Sequence, residues 1–288
     1  MSKISKLGYG IVAFEGTEHI KNITYEIRDL VDEIVVCLQE YSYHGEKIDE
    51  NDVRVIEDLK SHGLVDKIIW FKEDSKYKNL TSEEDIRETP RRIETDKRNF
   101  ILSTLEADGC SHSMVTDSDE FYDKTEFAFA KEIINSSEDM HVCYCQYINY
   151  WKDYRHYLVW PFFAFCPFIT ESKYRFSYRC KCFNEPIDPT RIYKLDNNEH
   201  YHTMNWDTIK MHHLSWIRID IKKKINSWSA KKYFPEGFTD YVYGRYMKWK
   251  EYECAILTLN VPKNKVIVNT LRDQYIHPHY RLNQKLDE

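Results

Sequence analysis

A chain of 288 residues and 34.8 kDa is long enough to bury a full core, as one large α/β domain or two small ones, and 42% hydrophobic residues exclude a disordered protein. No apolar run reaches the length of a membrane span, and Met1-Ser2-Lys3-Ile4-Ser5-Lys6 lacks the apolar core of a secretory signal, so a soluble, cytoplasmic chain is expected (host cytoplasm if viral). The net charge of −6 hides an asymmetry: residues 151–250 carry 18 Lys+Arg against 10 Asp+Glu, a balance of +8 that suits a polyanionic ligand such as a nucleotide diphosphate.

In chain order, residues 9–14 form an apolar run of strand length, broken by Glu15-Gly16-Thr17. Ile20, Ile23, Ile27 and Leu30 then recur at helical spacing, with Thr17 or Asn22 available to cap the helix. Residues 33–38 are β-branched and too short for most helices. Strand, helix and strand in this order predict a parallel pair with a right-handed crossover, which brings the segments after both strands, 14–16 and 39–42, to one edge of the sheet. A second unit repeats the pattern, with a helix over 52–62 ended by Gly63 and a strand over 67–71. The polar stretch 76–89 reads as a loop, and 90–107 as a long helix that opens on Pro90, carries Arg91, Arg92, Lys97, Arg98 and Asn99, and closes near Gly109.

These units feed Met114-Val115-Thr116-Asp117-Ser118-Asp119-Glu120-Phe121, an apolar approach that ends in three carboxylates over four positions. Two residues apart, Asp117 and Asp119 share one face of an extended segment, and the chain must leave the sheet there because adjacent carboxylates are not buried unpaired. Acids at the C-terminal end of a strand lie where open α/β sheets bind ligands, and they suit a hard divalent cation, Mn²⁺ or Mg²⁺. Further on, 127–134 reads as a helix and 140–147 alternates like a strand of a mixed sheet. Beyond residue 150 rings and charges mix with little periodicity, and most of the rings are expected in the core. Cys143-x-Cys145 and Cys180-x-Cys182 have gaps that fit strand alternation better than zinc, so reduced, buried thiols are expected. His212 and His213 are adjacent and point in different directions, so one of them at most serves as a ligand; a basic helical stretch follows over 219–229.

Glu94-x-x-Lys97-Arg98-Asn99, the strand ending in Asp117-x-Asp119-Glu120, and His213-Leu214-Ser215-Trp216 with Lys224 downstream together resemble nucleotide-sugar-dependent glycosyltransferases of the GT-A fold. The pattern is similar to the inverting family of the bisecting N-acetylglucosaminyltransferases, family 17, with the large family 2 behind it, and it covers roughly residues 9–229. The resemblance implies an α/β, Rossmann-like mixed and mainly parallel sheet flanked by helices. It also implies one GT-A domain over 1–250, with a nucleotide-sugar half (1–125) and an acceptor half (126–250), and a packed C-terminal extension over 251–288. Asp117 and Asp119 would bind Mn²⁺ or Mg²⁺, His213 would complete that metal site, and Phe14, Gly16, Gln39, Arg98, Asp117, Ser118 and Lys224 would contact the donor, a UDP-sugar above others.

The chemistry implied is an inverting transfer to an acceptor hydroxyl, in which a carboxylate takes the hydroxyl's proton and the candidate base is Glu185 in the turn-rich loop 184–189. The acceptor expected is a glycan or lipid-linked sugar. The alternative is DNA carrying hydroxylated bases, since the basic segment interleaves Lys222, Lys223 and Lys224 with Trp206, Trp216, Trp228, Tyr233 and Phe234. A metal-dependent nuclease or phosphotransferase would need a tighter acidic cluster, and a dinucleotide binder would need spaced glycines that Phe14-Glu15-Gly16-Thr17-Glu18 lacks. A non-catalytic nucleotide-sugar binder would keep the acids without turnover.

Overall fold

The computed structural model describes residues 3–74, 77, 81–158, 165–178, 187–196, 201–227, 231, 236–249, 257–261 and 264–268. Glu185 and its neighbours 184–186, Cys180, Cys182, Trp228, Tyr233, Phe234 and most of the extension 251–288 lie outside the described residues.

The chain opens with β1 (Leu7–Val12), α1 (Ile20–Ile27), β2 (Glu33–Gln39), α2 (Glu50–Ser61), β3 (Lys67–Phe71), α3 (Glu83–Ala107) and β4 (His112–Asp117). β2 pairs parallel with β1 and β3, and β4 pairs parallel with β1 on its other side. All residues of β1 and β2 are buried, as their uninterrupted apolar runs require when helices cover both faces. β5 (Glu120–Phe121), α4 (Lys124–Ser136), β6 (Val142–Trp151), β7 (Asp153–Leu158), β8 (Phe165–Glu171), β9 (His202–Thr203) and β10 (Lys210–Trp216) complete a mixed ten-stranded sheet with central order β3-β2-β1-β4-β8-β6-β10-β5, β7 and β9 pairing with β6. Antiparallel β8 joins the parallel half to β6, and β6 and β10 run parallel again. The chain continues through α5 (Ile221–Ser227) and α6 (Phe238–Lys248) to a separate hairpin of β11 (Leu257–Val261) and β12 (Asn264–Val268). The fold is therefore α/β, a mixed and mostly parallel sheet flanked by helices. No helix among the described residues is long and apolar enough to cross a membrane.

Local chemistry shifts two of the expected boundaries. Helix α3 begins at Glu83, not at Pro90, because Ser82 caps it by accepting from the Asp85 N–H at 3.0 Å; Pro90 then sits inside the helix, where it lacks one backbone donor. α1 has no side-chain cap: the Thr17 hydroxyl instead donates to Asp52 at 2.5 Å, tying the turn after β1 to α2. Helix α3 lies close on β1, since an added Cβ on Gly10 would come within 2.2 Å of Ile101 Cγ2. The five cysteines described are buried free thiols, Cys145 and Cys166 facing each other across β6 and β8.

Candidate active site

The parallel strands β1, β2 and β4 end along one edge of the sheet, and the site is built on that edge. β4 delivers Asp117 as its last residue, after which the chain turns through Ser118 and Asp119 into β5. Ser118 closes this turn against β1, its N–H donating to Val12 O at 3.1 Å and its hydroxyl to Glu15 O at 2.8 Å. The turn gives the two aspartates different partners, although their spacing would align them in a continuous strand.

Asp117 points to α3. Arg98, fully buried, grips it with two hydrogen bonds of 2.9 and 3.1 Å and holds Glu94 at 2.6 Å, one helical turn away. Arg191 adds a contact to Asp117 at 2.5 Å and one to Glu120 at 2.6 Å, and the Asp117 N–H donates to Glu120 at 2.9 Å. Burial raises the Asp117 carboxyl's pKa, but Arg98 and Arg191 outweigh it and hold the group ionised below the usual carboxylate range. Glu120 responds differently: burial, with the charges of Asp117 and Asp119 behind it, overrides Arg191 and pushes this carboxyl up to about 7.

Asp119 is buried and faces α5 and the end of β10. Its Oδ2 accepts from Arg218 and lies 3.4 Å from Lys224 Nζ, while Oδ1 is 3.6 Å from His213 Nε2. Burial again favours the neutral acid, and Lys224, Arg218 and His213 reverse that, leaving the carboxyl well below its ordinary value. His213 is held through Nδ1 by Asn149 Oδ1 at 2.6 Å, which puts the ring proton on Nδ1 and turns the Nε2 lone pair toward Asp119. Burial lowers its pKa to about 4, against the pull of Asp119. The neighbouring His212 points away, its Nδ1 2.8 Å from the Tyr150 hydroxyl in the core.

Asp119, Glu120 and His213 offer ligand atoms that all lie within 4.8 Å of one another. Two carboxylate oxygens and a neutral imidazole nitrogen form a donor set that fits a hard divalent ion such as Mn²⁺. Asp117 lies outside this trio, with its oxygens on Arg98 and Arg191.

A cleft of about 570 Å³ opens over these groups, with Phe14, Ser118, Tyr147, Asp188, Arg191 and Lys224 among its walls. Gln39 and Arg98 support it from beneath: Gln39 is buried and accepts from Lys97 Nζ at 3.0 Å, and Lys97, whose pKa burial lowers, lies 5.0 Å over the Tyr43 ring. Gly16 (φ 79°) borders an adjoining cleft of about 430 Å³, and an added Cβ there would lie 1.5 Å from Arg218 Nη1. Asp188 is half exposed, its Oδ1 accepting from Thr190 at 2.8 Å and its Oδ2 4.0 Å from Arg191 Nε. Arg191, Arg218 and Asn149 escaped the sequence reading, and Glu120 was read as one of the strand-end acids without a metal role. Only the basic balance of the second half signalled the two arginines, and nothing local links Arg218 to an acid 99 residues earlier.

The fold and site define an α/β protein with a charged cleft at the C-terminal ends of its parallel strands. No family model and no curated protein matches the chain. Among solved structures it is similar to S. aureus TarS 1-349 in complex with UDP-GlcNAc, with 12% identity and a TM-score of 0.39, covering 84% of this chain and 71% of that one. For the crystal structure titled S. aureus TarS the values are 11% and 0.39, covering 84% of this chain and 43% of that one, so the chain spans less than half its length. A Bacillus anthracis protein described as a glucose-1-phosphate thymidylyltransferase, in complex with sucrose, is 11% identical with a TM-score of 0.30, covering 84% and 83%. Each is a distant likeness.

Proposed function

We propose that this chain is a metal-dependent glycosyltransferase that moves a sugar from a nucleotide-diphosphate sugar, a UDP-sugar first among candidates, to an acceptor hydroxyl with inversion. The observation that carries the reading is the convergence of Asp119 and His213 with Arg218 and Lys224 on one cleft at the end of β4, where α/β sheets bind ligands, with a ligand atom of the buried Glu120 within 4.8 Å of theirs. In this reading Asp119, Glu120 and His213 hold Mn²⁺ or Mg²⁺, with Asp117 orienting the turn beneath them. A divalent ion there supplies positive charge to a departing diphosphate. Arg218 and Lys224 contribute further cations for the same oxygens.

Phe14 and Ser118 line the donor side of the cleft, with Gly16 behind them and Gln39 and Arg98 below. The base is assigned to the loop that carries Glu185 and Asp188, of which Asp188 is the described carboxylate on the cleft wall. Residues 1–250 are read as one catalytic domain with 251–288 as its extension, and the acceptor as a glycan or lipid-linked sugar. A two-metal nuclease is disfavoured because Asp119, Glu120 and His213 are the one converging trio among the described residues.

The test is UDP release from a panel of UDP-sugars with Mn²⁺ or with chelator, paired with calorimetry of UDP binding. Mn²⁺-stimulated release that is lost in Asp119→Ala, with the circular dichroism spectrum unchanged, supports the reading. Failure of any nucleoside diphosphate to bind with either metal, or full turnover in Asp119→Ala, overturns it.

A further inference from the structure

We propose that Arg218 and Lys224 serve as a built-in counter-cation for Asp119, competing with a divalent ion for that carboxylate and moving to the donor's diphosphate on binding, so that nucleotide and metal bind cooperatively. This deepens the reading of the cleft as a nucleotide-sugar site and rests on it.

The first observation is occupancy. Asp119 is already engaged, its Oδ2 by Arg218 and by Lys224 at 3.4 Å while Oδ1 faces His213, so its negative charge is answered before any metal arrives. Asp117 and Glu120 are likewise taken by Arg98 and Arg191, so four cationic side chains meet three carboxylates. A further double positive charge entering beside Arg218 and Lys224 is repelled by both, whereas an incoming anion is attracted to them. The order of events is therefore biased: a diphosphate draws Arg218 and Lys224 off the carboxylate, and Asp119 is then free to act as a ligand.

The second observation is spare capacity in Arg218. Its side chain is 3% exposed, yet Nε and Nη1 make no hydrogen bond among the described residues, and the nearest charge on that side is Glu18 at 3.7 Å. Buried guanidinium donors are ordinarily satisfied, so this fork is equipped for more oxygen acceptors than Asp119 supplies. The third observation is passage. Arg218 lies between the two clefts and crosses the chain at Gly16, where any Cβ would collide with Nη1. Lys224 reaches Asp119 from α5 with its side chain 27% exposed on the cleft.

Linkage makes the consequence measurable from either side, since UDP must strengthen Mn²⁺ binding by the same factor as Mn²⁺ strengthens UDP binding. Mn²⁺ binding is followed by electron paramagnetic resonance and calorimetry, without and with UDP, for the wild-type chain, Arg218→Met, Arg218→Lys and the more exposed Lys224→Met. Expected are weak Mn²⁺ binding by the wild type alone, and binding tighter by roughly tenfold in Arg218→Met and Lys224→Met without UDP. The factor by which UDP strengthens Mn²⁺ binding should shrink in both, and Arg218→Lys should keep the wild-type pattern. If both methionine variants bind UDP with Mn²⁺ but take Mn²⁺ alone no more tightly than the wild type, the proposal fails while the function stands. Absence of UDP and Mn²⁺ binding in the wild type sinks both.

Discussion

His213 is prepared for its place by one neighbour and by burial. Asn149 fixes the proton on Nδ1, and burial keeps the ring neutral down to about 4. The lone pair at Nε2 therefore persists through the range where a solvent-exposed imidazole, with its ordinary 6.5, becomes charged. His213→Ala is expected to weaken Mn²⁺ binding in the presence of UDP at least tenfold, the usual effect of losing a metal contact, while His212→Ala leaves it unchanged and costs stability through Tyr150. Calorimetry on both variants decides, and the opposite result would transfer the role to His212. The same ring has a signature in stability. Because its folded pKa lies below the unfolded one, its contribution is present above 6.5 and is lost as the pH falls toward 4. Glu120, raised to about 7, works in reverse: its contribution is present below 4.5 and lost as the pH rises through 7. In metal-free protein the two slopes oppose each other between 4.5 and 6.5. His213→Ala should remove the acid-side loss, so urea unfolding should show the gap between wild type and variant narrowing as the pH is lowered.

At the scale of elements, α3 is the beam under the site. It supplies Arg98 to Asp117 and Lys97 to Gln39, and Asn99 holds the Phe176 backbone with two hydrogen bonds of 2.8 and 2.9 Å. These contacts need the helix close on β1, which Gly10 permits. Gly10→Ala drives a methyl into Ile101 and should cost about 1–3 kcal/mol, the usual penalty for overfilling a core. Trimming the neighbour in Gly10→Ala with Ile101→Ala should recover part of that loss relative to the two single changes added together. Additive losses in denaturant midpoints would show that α3 is not seated by this contact. The strands of this half were legible in their β-branched runs, and Lys67–Phe71 stands where the sequence places it. The start of α3 was not, because a proline inside a helix looks the same in sequence as one that opens it, and only the Ser82 cap distinguishes them.

For the molecule as a whole, part of the basic balance of residues 151–250 is engaged in ion pairs among the described residues. Arg191 and Arg218 serve the site acids, Lys210 pairs with Glu126 at 2.5 Å, Arg175 with Glu106, and Lys223 with Asp52 at 3.5 Å. Cations engaged in this way are not free for a polyanionic lattice, and the proposed glycan or lipid-linked acceptor is tested against DNA on that ground. Duplex DNA is accordingly expected to bind weakly, with no steep dependence on salt between about 50 and 200 mM and no loss on replacing Lys222 and Lys223. Fluorescence anisotropy with a labelled duplex measures this, and a steep salt dependence abolished by those replacements would reverse the acceptor assignment.

The sequence by itself determined the alternation of strands and helices and the end of β4 at Asp117, since both rest on local patterns of period two and 3.6 and on the cost of burying acids. It also brought forward Asp119 from its place at the strand's end, and His213 and Lys224 through the motifs that carry the family resemblance. Tertiary structure decided which charge answers which. Arg98 and Arg191 take Asp117, Arg218 and Lys224 take Asp119, and Glu120 joins the converging trio, because such pairings depend on how β10 and α5 return to the end of β4 across about a hundred residues of intervening chain. No local period encodes that return; the packing of the whole sheet does.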